Sequence, residues 1–220
     1  MSGRKLITGV CTGRKLFRED EIAVKVFDFD NTIYRGESSI DFSFYMIRHN
    51  RKILLYVPMI LINLVKYKMC LVKKEELEAV IDTFFEGVLD GTEDVPDLIR
   101  RFWEGHTHKL NKKILSLIAP DDVIISASPC ILLDGIREKL GTENIIGTEV
   151  DLAGKRITWL NFGDNKVKRY RDLFGDRTID AFYTDSFNDR DLMEISEKVF
   201  IVRKGKPVRI RLSGKKSCLL

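Results

Sequence analysis

The sequence DFDNT at residues 28–32 decides the fold, and it directly follows the apolar run IAVKVF at residues 22–27. A short apolar run of this kind predicts a buried strand. Asp28 and Asp30 are two residues apart at the end of that strand, so we expect their carboxylates to point to the same side. Two anions at one place repel each other, and a cation or a phosphate group with a metal ion would relieve the repulsion. Ligands of open α/β sheets bind at the carboxyl ends of strands, so position and chemistry both indicate a site.

Three further polar residues lie at the ends of predicted elements. Ser126 and Asp185 each follow an apolar, strand-like run, and Lys166 follows the loop GDN where a helix is predicted to begin. Lys168 is the alternative lysine in that helix. Taken singly, these residues are also typical of a helix cap, a turn or a solvated face. Taken together, they predict one site built from three strand ends and one helix start.

In this order the residues resemble the four motifs of the haloacid dehalogenase superfamily, most of all its phosphoserine-phosphatase-like branch. The resemblance covers roughly residues 21–35 and 110–205. It implies an α/β fold, with a Rossmann-like core built on a parallel sheet and a small inserted cap made only of helices. The predicted organisation is an N-terminal extension at 1–20, a catalytic core at 21–35 and 110–220, and a helical cap at 36–109.

The resemblance also implies a Mg²⁺-dependent hydrolase of phosphate monoesters with assigned roles for its residues. Asp28 would be the nucleophile that forms an aspartyl-phosphate, and Asp30 the general acid and base. Lys166 would offset the negative charge of Asp28 and of the phosphate. The implied substrate and phosphate contacts are Thr32, Glu37, Ser126 and Asn188. The implied Mg²⁺ ligands are Asp28, the backbone carbonyl of Asp30, and Asp185, with Asp189 holding metal-bound water or orienting Lys166.

Asp30 favours a phosphatase or a phosphotransferase, because dehalogenases of the superfamily lack a second aspartate there. Glu37 keeps phosphoserine among the candidate substrates, since phosphoserine phosphatases use a glutamate at this offset to recognise an amino group. The stretch 84–90 lacks their arginine, however, and residues 127–129 replace their glycines. A small phosphorylated metabolite and a lipid phosphate of the phosphatidylglycerophosphate type therefore both remain candidates. A non-catalytic protein that binds phosphate and Mg²⁺ is the alternative from another class.

The apolar runs and amphipathic stretches predict parallel strands joined by helices. Strands are predicted at about 22–28, 122–126, 145–150, 156–160, 179–184 and 198–202. Core helices are predicted at 129–140, 165–174 and 188–196, and cap helices at 38–50, 52–69, 73–86 and 94–118.

Residues 53–65 form an unusually apolar segment with basic residues on both sides. The segment is shorter than the roughly 20 apolar residues of a spanning helix, and Pro58 interrupts it. It is interpreted as a buried or self-associating cap helix, with membrane docking or a pocket for an apolar substrate tail as alternatives.

Composition limits the remaining possibilities. The net charge of +4 is too small to indicate nucleic acid, and 44% hydrophobic with 32% charged residues is ordinary for a globular protein. The four cysteines are far apart, with no CxxC pair, so a reducing cytosol is the simplest compartment. After Glu197 the chain has basic residues and no acids. We interpret this region as a solvated tail, with attraction to an anionic membrane surface as the alternative.

Overall fold

The computed structural model describes residues 24–49 and 94–212, together with the single positions 58, 59, 62, 79 and 83. These five positions are helical, and they fall within the predicted helices 52–69 and 73–86. The predicted extension 1–20 and most of the apolar segment 53–65 lie outside the described residues. Across the part of the chain that is described, no helix has the length and apolar content needed to cross a bilayer.

A seven-stranded sheet in the order β4-β3-β2-β1-β5-β6-β7 forms the centre of the molecule. The pairs between β3, β2, β1, β5 and β6 are parallel, and β4 and β7 run antiparallel at the two edges. The expected α/β fold with a mostly parallel sheet is therefore confirmed. The strands are β1 (Val24–Asp28), β2 (Val123–Pro129), β3 (Asn144–Asp151), β4 (Arg156–Trp159), β5 (Ile179–Thr184), β6 (Ser196–Arg203) and β7 (Lys206–Ile210).

Helices connect most of the strands. The α-helices are α1 (Ser38–His49), α2 (Val95–His106), α3 (Lys112–Leu115), α4 (Cys130–Asp134), α5 (Asp164–Phe174) and α6 (Arg190–Glu194). Short 3₁₀ turns lie at Thr107–Lys109, Arg137–Lys139 and Phe187–Asp189.

Two predicted helices are wrong in extent. The single helix expected at 94–118 ends as an α-helix at His106 and continues as a 3₁₀ turn to Lys109. Leu110 then forms an antiparallel bridge with Tyr34. The next amide, of Asn111, donates to the carbonyl of Ile33 at 2.7 Å. The helix expected at 129–140 is shortened, because β2 continues to Pro129 and the segment after it forms α4 and a 3₁₀ turn.

The basic region after Glu197 also differs from its interpretation as a solvated tail. Its first half forms β6 and β7, which pair from Val199 with Ile210 to Arg203 with Lys206. Val208 and Ile210 alternate with basic residues, as expected of an edge strand whose charges face water.

The core lies on both faces of the sheet, because successive residues of a strand point to opposite sides. Val24 and Val26 of β1 belong to the cluster on one face. Phe27 belongs to the cluster on the other face. There its ring stacks on Tyr183 of β5 at 4.5 Å, and Tyr183 stacks on Phe200 of β6 at 4.6 Å. This ring ladder joins β1, β5 and β6, and the ends of β1 and β5 carry residues of the candidate site.

Helix α2 packs against the Phe27 face of the core. Asp94 caps its first turn by accepting from the amide of Asp97 at 3.0 Å. The buried face carries Leu98, Ile99, Phe102 and Trp103. The indole of Trp103 donates to the carbonyl of Leu132 at 2.7 Å, so the helix is fixed to α4 by a hydrogen bond as well as by packing.

Candidate active site

The loop after β1 places three of the predicted site residues at one end of the sheet. Asp28 is the last residue of β1, and the carbonyl of Phe29 accepts from the amides of the three residues that begin at Thr32. Asn31 has a φ of 57°, a left-handed conformation that asparagine tolerates better than most residues. Its amide donates to the carbonyl of Gly36 at 3.0 Å. The loop therefore turns tightly and keeps Asp28, Asp30 and Thr32 close to the strand end.

Lys166 joins two of the carboxylates. Its Nζ lies 2.9 Å from Oδ1 of Asp28 and 2.7 Å from Oδ1 of Asp189, and all three residues are buried. The second oxygen of Asp189 accepts from the hydroxyl of Thr184 at 3.0 Å. Lys168, the alternative lysine, lies instead 5.5 Å from the ring centre of Trp159. The structure thus brings Lys166 to Asp28, and it places Asp189 where it orients that lysine.

The charges of this trio depend on one another. Burial is the largest influence on the pKa of Asp28 and raises it, the Lys166 ammonium lowers it, and the charges of Asp189 and Asp30 raise it again. The resulting pKa lies well above that of an exposed aspartate. Burial lowers the pKa of Lys166, but Asp28 and Asp189 outweigh that effect and raise it overall. Lys166 is therefore a stable cation, and further positive charge beside Asp28 would favour the anionic form of that carboxyl.

Asp30 has a different set of partners. Its Oδ1 accepts from the amide of Ser38, at the start of α1, at 2.6 Å. Its Oδ2 accepts from the hydroxyls of Ser128 at 2.6 Å and Ser126 at 3.3 Å. Sequence reasoning assigned Ser126 to phosphate but missed Ser128 as a partner of Asp30. The signal was present, because two serines separated by one residue on a strand point to the same side.

The other predicted substrate contacts, Thr32, Glu37 and Asn188, differ in their burial and in their hydrogen bonds. Thr32 is 1% exposed, and within the described residues its hydroxyl has no hydrogen-bond partner. Glu37 accepts from the side-chain amide of Asn31 at 2.7 Å. Burial raises the pKa of Glu37, and the charges of Asp30 and Asp185 raise it further. Asn188 is exposed, and its backbone amide donates to the hydroxyl of Ser186 at 3.1 Å.

Asp185 lies at the end of β5, where it forms part of the wall of a cavity of about 670 Å³. Burial raises its pKa, its own backbone amide lowers it, and the charges of Asp189 and Asp30 raise it again. The carboxylates at this end of the sheet thus repel one another, and Lys166 offsets only part of that charge.

Mg²⁺ is the ion that the resemblance implies for the donors at this end of the sheet. Among the described residues, no three acidic, imidazole or thiol side chains are grouped as a ready metal site. The implied set needs only two of them, Asp28 and Asp185, together with the backbone carbonyl of Asp30. All are oxygen donors, which Mg²⁺ prefers, and Mg²⁺ commonly keeps several waters besides one or two carboxylates. The raised pKa values of Asp28 and Asp185 indicate a site that favours added positive charge. The residues present therefore fit the ion.

Known proteins resemble the chain in fold and in family. A protein of unknown function from Bordetella pertussis Tohama I superposes with a TM-score of 0.66 at 18% identity, covering 81% of this chain and 89% of the other. A phosphoserine phosphohydrolase-like protein from Francisella tularensis subsp. tularensis SCHU S4 superposes with a TM-score of 0.50 at 16% identity, covering 82% and 87%. No curated protein sequence matches the chain. The family model of haloacid dehalogenase-like hydrolases matches residues 26–194, so the chain belongs to that family.

Proposed function

We propose that the protein is a Mg²⁺-dependent phosphomonoester hydrolase that works through an aspartyl-phosphate on Asp28. The observation that carries this proposal is the unequal environment of two neighbouring carboxylates. Asp28 contacts the ammonium of Lys166, whereas Asp30 is held by hydroxyls and by the amide of Ser38. A nucleophile and a general acid need such different settings, because one must be an anion when the other carries a proton.

In the first step, an oxygen of Asp28 attacks the phosphorus of the substrate. The bond from phosphorus to the alcohol oxygen breaks, and the carboxylic acid of Asp30 donates its proton to that oxygen. Lys166 stabilises the negative charge that spreads over the phosphoryl oxygens. The buried hydroxyl of Thr32 supplies a further donor to one of those oxygens.

In the second step, water attacks the phosphorus of the aspartyl-phosphate. The carboxylate of Asp30 takes a proton from this water, and the bond between phosphorus and the oxygen of Asp28 breaks. Inorganic phosphate leaves, Asp28 is again a carboxylate and Asp30 is again an acid. One residue thus serves as acid and then as base, with no net change in the enzyme.

Magnesium would be held by Asp28, the backbone carbonyl of Asp30 and Asp185, with Asp189 nearby. When bound, Mg²⁺ neutralises charge between the nucleophile and the phosphate. Added positive charge favours the anionic form of Asp28, whose pKa is raised by burial.

The proposed substrates are small phosphorylated metabolites. The Francisella neighbour is described as phosphoserine phosphohydrolase-like, and Glu37 beside Asn31 offers a carboxylate for an amino group. The interpretation as a lipid-phosphate phosphatase depends on the apolar segment 53–65, most of which lies outside the described residues. Phosphoserine and lipid phosphates both belong in the substrate panel.

The deciding experiment measures phosphate release by the wild type, Asp28→Asn and Asp172→Asn, with Mg²⁺ and with a chelator. The panel contains phosphoserine, sugar phosphates, nucleotides, phosphatidylglycerophosphate and an aryl phosphate. Asp172 is exposed on α5, so its variant controls for the loss of one negative charge. We expect metal-dependent release that is lost only in Asp28→Asn. A folded wild type that releases no phosphate but binds beryllium fluoride would favour the non-catalytic binding protein.

A further inference from the structure

The cavity of about 670 Å³ at Asp185 has a second wall that the proposed chemistry does not use. One side is formed by the loops after β1 and β5, through Asn31, Gly36 and Asp185. The other side is formed by the turn between β6 and β7, through Lys204 and Gly205. A volume of this size is typical of small-ligand pockets, which span about 300–1,000 Å³. The cavity adjoins the proposed catalytic site at Asp185, so it can hold a part of the substrate other than its reacting phosphate.

Two cations line this cavity, Arg35 from the β1 loop and Lys204 from the β6–β7 turn. Both are exposed, and across the described part of the chain neither side chain has a hydrogen bond or an ion pair. Other cations near the site are paired, since Lys166 contacts Asp28 and Lys109 contacts Asp41 at 2.7 Å. Arg35 and Lys204 thus keep their donors available to a ligand.

The turn that carries Lys204 is fixed relative to the catalytic loop. The side-chain amide of Asn111, which is 2% exposed, donates to the carbonyl of Gly205 at 3.1 Å and to that of Thr32 at 3.3 Å. Gly205 has a φ of +73°, and a Cβ there would lie 3.3 Å from Nδ2 of Asn111. The close approach and the backbone conformation both favour glycine. Lys204 therefore lies in a turn whose position relative to the catalytic loop is fixed.

We propose that Arg35 and Lys204 bind a second anionic group of the substrate, so that the enzyme acts on phosphomonoesters that also carry a phosphate, phosphodiester or carboxylate. The inference rests on the proposed phosphatase function and adds a substrate class to it. Asp185 is assigned to the metal ion, so the second anion is bound by the two cations that line the cavity, Arg35 and Lys204. Contacts between charged donors and an anion are stronger than neutral ones, which makes them selective.

The test compares substrates that differ only in the second anion. Glycerol 3-phosphate is paired with 3-phosphoglycerate, and fructose 1-phosphate with fructose 1,6-bisphosphate. We expect the wild type to prefer the second member of each pair by about tenfold or more in kcat/KM, as one or two charge-assisted contacts imply. Arg35→Gln and Lys204→Gln should each reduce this preference, and the double variant should remove it. Lys206→Gln removes a charge from the same hairpin outside the cavity wall, so it should keep the wild-type preference.

A further comparison distinguishes a lipid from a soluble source of the second anion. The kcat/KM for short-chain phosphatidylglycerophosphate in micelles is compared with that for glycerol 1,3-bisphosphate. A higher value for the first indicates a lipid substrate, and a higher value for the second indicates a soluble one. An aryl phosphate is assayed beside both. Hydrolysis of the aryl phosphate without preference in any pair would overturn this inference alone, as would an equal loss of preference in Lys206→Gln. A wild type inactive even on the aryl phosphate would overturn the proposed function and this inference with it.

Discussion

The hydroxyl of Ser128 lies 2.6 Å from Oδ2 of Asp30 and donates a hydrogen bond to it. The same hydroxyl lies 2.7 Å from that of Ser39 and 3.0 Å from that of Ser38, and in each of these pairs either oxygen can be the donor. When Asp30 is a carboxylate, Ser128 donates to it. When Asp30 is an acid, the Ser128 hydroxyl can accept a hydrogen bond from it and donate one to a neighbouring serine. A chain of rotatable hydroxyls thus suits a residue that alternates between acid and base.

We therefore expect Ser128→Ala to lower kcat about tenfold with little change in KM, since it loosens Asp30 without removing a substrate contact. The split between kcat and KM separates this positioning role from a binding role. Ser43→Ala on α1 is the control, because the hydroxyl of Ser43 donates only to the carbonyl of Ser39 at 2.7 Å. If kcat of Ser128→Ala equals that of the control, the hydroxyl chain has no part in catalysis.

Thr32→Val tests whether the unpaired hydroxyl of Thr32 belongs to the substrate. Valine keeps the side-chain shape, and the lost hydroxyl has no partner within the described residues. The free energy of unfolding should stay constant or rise by up to about 1 kcal/mol, whereas kcat/KM should fall about tenfold or more. Both are measured, by urea denaturation and by steady-state kinetics.

Thr142→Val is the matched control with the opposite expectation. Thr142 is also buried, but its hydroxyl donates to the carbonyl of Asp122 at 2.6 Å. Its removal should cost about 1–2 kcal/mol of stability and leave kcat/KM unchanged. A Thr32→Val protein that loses stability and keeps its activity would show that the hydroxyl is structural.

Much of the fold could be predicted because the strands of a parallel sheet are buried on both faces. Such strands appear in the sequence as continuous apolar runs, as in β1, β2 and β5. β7 was missed because an edge strand alternates apolar with charged residues, and Val208 between basic residues resembles a solvated tail. The end of the predicted helix has only weak local signals, Gly105 in the last turn of α2 and Asn111 as the N-cap of α3. It is caused by the bridge to Tyr34 and the contact with Ile33, which are distant in sequence.

The candidate site was predictable where strand ends carry the chemistry, and less so where distant segments meet. Asp28 and Lys166 could be proposed as neighbours from motif order, and their side chains are in contact. The bond between Asp30 and Ser128 joins residues 98 positions apart. Nothing near Lys204 in the sequence indicates that its turn borders the catalytic loop, because Asn111 makes that connection.

Tyr170→Phe should stabilise the protein or leave it unchanged. Burial raises the pKa of Tyr170 to about 12, and within the described residues its hydroxyl has no hydrogen-bond partner. Phenylalanine removes that unpaired group, so we expect a gain of up to about 1 kcal/mol in the free energy of unfolding. Tyr34→Phe is the comparison, because the hydroxyl of Tyr34 donates to Asp41 at 2.6 Å and its loss should cost about 1 kcal/mol. Equal losses in both variants would mean that Tyr170 has a partner such as a bound water.

Asp41 should make folding stability depend on pH in the acid range. Partial burial raises its pKa, but hydrogen bonds from Lys109 and Tyr34 and the charge of Lys109 outweigh that effect, so its pKa is lowered. A lowered pKa in the folded state contributes stability above the unfolded value of about 3.9, and this stability is lost as the pH falls through the folded pKa. Asp41→Asn should thus cost about 1 kcal/mol at pH 7 and progressively less as the pH falls below the unfolded value.

The measurement is urea denaturation of the wild type and Asp41→Asn between pH 7 and pH 2.5. Asp97→Asn is the control, since Asp97 is paired with Arg100 and Arg101 on the surface, where salt weakens such pairs. At 0.5 M salt the pH-dependent difference should persist for Asp41, because Lys109 and Tyr34 both donate to it. For Asp97 it should shrink. A constant difference between wild type and Asp41→Asn across this pH range would mean that the carboxylate contributes through packing rather than through its charge.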